Sequence, residues 1–201
     1  MRAAALSLLF LCGCQALQPV VSTSPTVYAL SAARDSVAPT QPASTGLTLI
    51  VSPPHAAAGF DSQRIMYVRK ADQLEYFAHN QWVDTPARML APLVVASIGS
   101  SGAFRAVVNT PSPATGELRL DTEILQLQHE FLGTPSRVRF ALRAYLVESA
   151  TRQVIASRQF EVTVPAASED PHGGVVAASL AVQSVLAGLA TFCAEAARNR
   201  R

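Results

Sequence analysis

The sequence predicts an α+β domain: a largely antiparallel sheet of about six strands, with one helix in the middle of the chain and one long helix at its end. Three observations lead there. From Leu47 to Val162, short β-branched and apolar runs alternate with polar residues and are punctuated by Pro- and Gly-bearing breaks, the pattern of strands. Two other segments, Met89 to Ile98 and Val175 to Arg198, repeat apolar residues at helical spacing. The last three strands are joined by links too short for crossovers, so those neighbours are antiparallel.

Taken in order, the chain begins with Arg2 and an apolar run from Ala3 to Leu11, closed by Leu11-Cys12-Gly13-Cys14. A short basic region, a short apolar region and then small residues is the layout of a secretory signal. The run is too short to span a bilayer, which takes about 20 apolar residues. Its ending resembles the bacterial lipobox, in which the cysteine is acylated on sulfur and becomes the mature N-terminus. Cys14 is then the lipidation site and residues 1–13 the signal peptide. Residues 14–45 are rich in Ser, Thr, Pro, Ala and Gln and read as a lipidated tether. Thr26 to Leu30 interrupts it with a candidate edge strand. Residues 46–201 form the domain.

Within that domain Leu47 to Ser52 is β-branched and apolar, a buried strand ended by Pro53-Pro54. Arg64 to Arg69 and Gln73 to Ala78 form a hairpin around Lys70-Ala71-Asp72, and His79 to Val83 leads out of it. Asp84 or Thr85 caps the first helix, Pro86 sits in its first turn, and Gly99 or Gly102 ends it. Ala103 to Val108 is the next strand. In the following one Leu118, Leu120, Thr122 and Ile124 share a face, and Leu125, Leu127, His129 and Phe131 continue on the other parity, as a β-bulge requires. Val138, Phe140, Leu142, Ala144 and Leu146 point inward in the second long strand; Val154, Ala156, Phe160 and Val162 do so in the third. After a loop from Pro165 to Gly174, the last helix turns Val176, Leu180, Val182, Val185, Leu186, Leu189, Phe192 and Cys193 to the core.

Composition narrows the function. Charged residues make up 15% of the chain, apolar ones 49%, and the net charge is +2, so the body is globular and nothing suggests nucleic-acid binding. With Cys12 in the signal and Cys14 acylated, Cys193 is left alone, so the domain has no internal disulfide despite an oxidising compartment. Its apolar helical setting makes it a small buried hydrophobe. His55, His79, His129 and His172 are dispersed, and none has a partner at metal-ligand spacing. His129-Glu130 begins like a zinc-protease helix but has Gly133 where the second His belongs. Gly99-Ser100-Ser101-Gly102 is one residue short of a nucleophile elbow and follows a helix. Gly173-Gly174 reads as hinge or loop. No enzyme, cofactor or metal is implied.

Two groups suit a partner surface. The outward row Arg137, Arg139, Arg143 and Tyr145 is explained by pairing across the ladder to Glu123 and Glu161. The hairpin with Tyr67, Tyr76, Phe77 and Trp82 carries residue types favoured at interfaces. Of these, Tyr67, Tyr76 and Trp82 are the preferred partner-binding residues, although such aromatics also serve as core.

The order of these parts resembles the ABC-type transport auxiliary lipoproteins, the family of paraquat-inducible protein C. The likeness rests on the lipobox, Tyr28-Ala29-Leu30, the strand Leu49 to Pro53, Ile65 to Arg69, Leu74 to Phe77, Trp82, Pro86, and a helix ending before Ser101-Gly102-Ala103-Phe104. It departs at Tyr28-Ala29-Leu30, where the family often has two adjacent aromatics. The resemblance implies a three-layer sandwich with a mixed sheet, related to the N-terminal domain of the TolB translocation protein. It also implies a non-catalytic periplasmic docking component of a lipid transport system. The partner would be a mammalian-cell-entry-domain protein working with an ABC transporter, with homo-oligomers as a further expectation. Gln15 after the cysteine suits sorting to the periplasmic face of the outer membrane. A lipid-binding carrier with its own apolar cavity is the alternative, and an envelope hydrolase a weaker one.

Overall fold

The computed structural model describes residues 24–31 and 46–199. Its elements are β1 (Thr26–Tyr28), β2 (Thr48–Val51), β3 (His55–Ala56), β4 (Arg64–Lys70), β5 (Gln73–Trp82), α1 (Pro86–Ser100), β6 (Ala106–Asn109), β7 (Leu118–Glu130), β8 (Arg137–Glu148), β9 (Val154–Pro165) and α2 (Pro171–Arg198). All nine strands join one mixed sheet organised around β7. Along one edge β7 pairs antiparallel with β8, and β8 in turn with β9. The other edge of β7 is shared by three parallel neighbours: β2 at Leu118–Leu120, β3 at Glu123 and Ile124, β4 at His129 and Glu130. Beyond β2 lies β6; beyond β4 lie β5 and then β1. Gly116 lets the chain enter β7 against β2, because a Cβ there would sit 2.8 Å from the Thr48 carbonyl oxygen.

The α+β class, the mixed sheet and both helices stand as expected. The bulge in β7 falls where the parity switch placed it, between Ile124 and Gln126, and leaves Leu125 without a register partner. The strand count and layering differ. Nine strands replace about six, and both helices lie on the same face: α1 packs on α2, β3 and β6, while α2 packs on β7, β8 and β9. The Ser97 hydroxyl donates to the Leu186 carbonyl at 3.1 Å and ties the helices together. One continuous core results, with Leu120, Ile124, Phe140 and Leu142 from the sheet, Leu90, Val94 and Ile98 from α1, and Val182, Leu186 and Leu189 from α2. The opposite face of β7 and β8 carries mostly charged and polar residues, and among the described residues no helix covers it.

Local chemistry sets the ends. Thr85 caps α1, its hydroxyl accepting from the Arg88 amide at 3.4 Å, and Gly102 leaves the helix at φ 65°. Asp170 caps α2 and accepts from the Gly173 amide at 2.7 Å. That cap moves the start of α2 to Pro171, so Gly173 and Gly174 lie in its first turn and not in a loop. The apolar stripe is also narrower than expected. Val176 and Leu180 are 41% and 51% exposed, and Val175, Ala178 and Ala181 face the core in their place. β5 runs on to Trp82, where a strand end was expected near Ala78. In β9 a bulge at Ile155 returns Val154 to the outer parity, where it is 56% exposed. By length and composition α2 could cross a membrane, but 56% of its apolar window is buried in the domain, as in a core helix.

Candidate functional site

The outer sheet face carries the arginine row on β8. Cross-strand register sets Arg143 opposite Glu123, Arg139 opposite Gln128 and Arg137 opposite Glu130. Arg139 spans two neighbours, donating to Glu130 at 2.8 Å and to Glu161 of β9 at 2.5 Å. Arg143 reaches Glu123 at 3.3 Å, and Arg119 reaches Asp121 at the same distance. Burial pushes the Glu130 carboxyl up, but hydrogen bonds from Arg139 and Gln128 outweigh it and hold the group below its ordinary range. Two of the three arginines thus serve carboxylates of their own sheet, as the ladder reading expected. The row contributes register and solvation.

The aromatic hairpin divides its residues. Tyr67 lies on the helix-bearing face, 4.5 Å centroid to centroid from Phe77 and edge-on to Phe131 at 6.0 Å. Its hydroxyl donates to Glu75 at 3.1 Å; burial first, and then that bond, raise its pKa. Tyr76 points to the opposite face, 47% exposed, under the Arg64 guanidinium at 4.2 Å. Trp82 is 3% exposed and belongs to the core. The structure does not gather Tyr67, Tyr76 and Trp82 into one patch, because strand alternation separates the two tyrosines and the inward turn of β5 buries the tryptophan. Cys14 lies outside the described residues.

Sequence reasoning missed the junction where α2 meets β7. His129 is buried there, its ring 4.1 Å from that of Phe131 and its Nε2 2.8 Å from the Ser136 hydroxyl. The Ser136 amide donates to Glu169 at 2.8 Å, just ahead of the α2 cap. A Cβ on Gly174 would lie 2.4 Å from His129 Nδ1, and one on Gly173 2.4 Å from the Ser168 carbonyl oxygen. The adjacent glycines therefore let a helix start seat directly on a buried imidazole. Ser136 and His129 are both buried, and their bond fastens the β7–β8 turn to α2.

A second feature without a sequence signal is the β9 edge. Between β9 and the end of α2 an open groove of about 370 Å³ is lined by Ile155, Ala156, Arg158, Phe192, Glu195 and Asn199. The Arg158 guanidinium lies 5.0 Å from the Phe192 ring centre and 3.8 Å from Glu195. Only the low burial of β9 in three dimensions exposes it, since the strand's apolar residues read as ordinary inward positions.

With this geometry in place, comparison with known proteins decides the family. The sequence model of the ABC-type transport auxiliary lipoprotein component matches residues 28–190, taking in every element from the end of β1 to most of α2. The chain belongs to this family. Among solved structures, protein XCC0632 of Xanthomonas campestris superposes with a TM-score of 0.75 at 23% identity, over 87% of this chain and 98% of its own. A hypothetical protein of Chlamydia trachomatis superposes with a TM-score of 0.51 at 10% identity, over 75% and 96% of the two chains. At these identities the likeness shows the fold. No curated protein matches the sequence. As an auxiliary lipoprotein, the chain offers a self-paired outer face, a buried helix junction and an open sheet edge among its described residues.

Proposed function

We propose that this auxiliary lipoprotein is anchored by lipid on Cys14 at the periplasmic face of the outer membrane. There it serves as a non-catalytic docking component for a mammalian-cell-entry-domain protein of an ABC-type lipid transport system. Family membership over residues 28–190 carries the reading. Two features of the domain support docking over carriage. The face between sheet and helices is filled by large side chains from both layers. The groove between β9 and α2 measures about 370 Å³, near the lower end for a small-molecule pocket. The buried Ser136–His129 pair supports a non-catalytic role in the same way.

Native mass spectrometry of the chain purified from envelopes tests this reading. A partner chain in stoichiometric amount, with acyl mass on the wild type and none on Cys14→Ser, is the expected result. Bound phospholipid in stoichiometric amount without a protein partner would favour the carrier instead.

A further inference from the structure

We propose that the free edge of β9 is the docking strand: an extended segment of the partner adds to it as a tenth strand. This rests on the docking reading above and names its surface. Among the described residues β9 pairs only with β8. Of the other edges described, β1 has three residues and β6 four, and β5 is uncovered only over residues 73–79 where β1 does not reach it, whereas β9 has twelve. Folded proteins usually blunt a long edge with Lys, inward charge or a covering element. Here Pro165 comes at the very end and the bulge at Ile155 near the start; the inward charge in the middle, Arg158, turns to Glu195 of α2, and among the described residues the backbone edge between them is uncovered.

The ladder identifies which backbone groups are free. The Ala166 amide donates to the Ser136 carbonyl, so pairs that bond to β8 recur at every second residue from there: Val164, Val162, Phe160, Arg158 and Ala156. Ser157, Gln159, Glu161 and Thr163 therefore aim their N–H and C=O groups away from the sheet. Another extended backbone can replace water along the whole of such an alternating row.

Side chains specify the occupant further. On the helix-bearing face an added strand meets Ala156, Arg158 and Phe160, beside the groove floored by Ile155 and Phe192. An apolar side chain fills that groove, and a carboxylate meets Arg158, which is 49% exposed and touches Glu195 only at 3.8 Å. A second copy of β9 fits less well: in antiparallel pairing its same-face residues Ala156, Arg158, Phe160, Val162 and Val164 include no carboxylate. The occupant is thus a partner segment in which apolar residues alternate with an acidic one.

Proline provides the test, because Gln159→Pro deletes an outward N–H while leaving the β8 ladder its donors. The full lipidated chain and a mammalian-cell-entry-domain protein of the same organism are mixed in detergent, and binding, melting temperature and oligomeric state are measured for wild type, Gln159→Pro and Arg158→Glu. Both variants should keep the oligomeric state and bind about tenfold more weakly, and Gln159→Pro should melt close to wild type. In the wild-type complex the amides of Ser157, Gln159, Glu161 and Thr163 should gain protection from hydrogen exchange. If wild type binds and both variants bind equally well, or those amides gain no protection, the edge is not the docking strand although docking stands. If Gln159→Pro changes the oligomeric state and leaves partner binding intact, a second copy occupies the edge and the proposal fails. Should Gln159→Pro unfold the chain, the exchange pattern and Arg158→Glu decide. A wild type that binds nothing overturns the docking reading and this inference with it.

Discussion

Replacing Gly174 by Ala isolates the contact that seats α2 on the sheet. In an ordinary helix interior Gly→Ala stabilises by about 1 kcal/mol, since the unfolded chain loses freedom and the helix gains propensity. Here the new Cβ would lie 2.4 Å from His129 Nδ1, 3.0 Å from its Cε1 and 3.1 Å from its Cγ, all inside van der Waals contact. The imidazole has nowhere to retreat. It is 2% exposed, stacked on Phe131 at 4.1 Å and bonded to Ser136 at 2.8 Å. Overpacking of this kind costs about 1–3 kcal/mol, and withdrawal of the ring would forfeit a further hydrogen bond worth about 1 kcal/mol. The net expectation is a loss of about 1–3 kcal/mol, or roughly 2–10 °C in melting temperature for a domain of this size. Urea unfolding of a Cys14→Ser chain measures it. Gly99→Ala in α1 is the control, because a Cβ there meets nothing within 4 Å; it should be neutral or stabilising. Combining Gly174→Ala with His129→Ala should recover much of the loss, as contacting residues couple. If Gly174→Ala stabilises the chain as Gly99→Ala does, the close approach of α2 to His129 is wrong.

Three further outcomes follow from the same geometry. Burial holds His129 below its ordinary value of 6.5 against the opposing charges of Glu169 and Asp170. The unfolded state therefore binds more protons just below that pH, and stability should fall as pH drops through 6.5 towards the depressed folded value, by at most about 1.4 kcal/mol per pH unit. His129→Gln should flatten this window, while the loss from Glu130, Glu169 and Asp170, whose folded values are lowered, begins only below their ordinary range near 4. Arg139→Ala should cost about 1–3 kcal/mol by stranding Glu130, which is 4% exposed, and Arg139→Met with Glu130→Gln should restore part of it, as read by urea midpoints. Burial pushes the Cys193 thiol up to about 12, so a thiol reagent should label it only at the rate of global unfolding.

Period and turn chemistry made most of the fold readable. The five inward residues of β8 are all buried, the hairpin and the capped α1 lie where the pattern put them, and the β7 bulge follows from its parity switch. What failed involved competition between local signals and tertiary packing. Gly173-Gly174 looks like a loop until Asp170 is seen to cap the helix ahead of it, and Val176 and Leu180 stay exposed because Val175, Ala178 and Ala181 occupy the face that meets the sheet. Trp82 drew notice as an interface aromatic, and the inward course of β5 buries it. The β9 edge had no signature at all: its alternation reads the same whether or not another strand lies beyond it, and only the sheet order reveals which. The resemblance to a lipobox is the opposite case, a site proposed from sequence that lies outside the described residues.

The central claim is that the lipidated chain docks a mammalian-cell-entry-domain protein at the membrane. Cross-linking in intact cells with the chain tagged at its C-terminus, followed by membrane separation and quantitative mass spectrometry, tests it directly. This partner should be the most enriched cross-linked protein, recovered with the outer-membrane fraction, and Cys14→Ser should release the chain from that fraction and lower the yield of cross-links. Equal recovery of the wild type and Cys14→Ser in the soluble fraction, or a wild type cross-linked to no such partner, would contradict it.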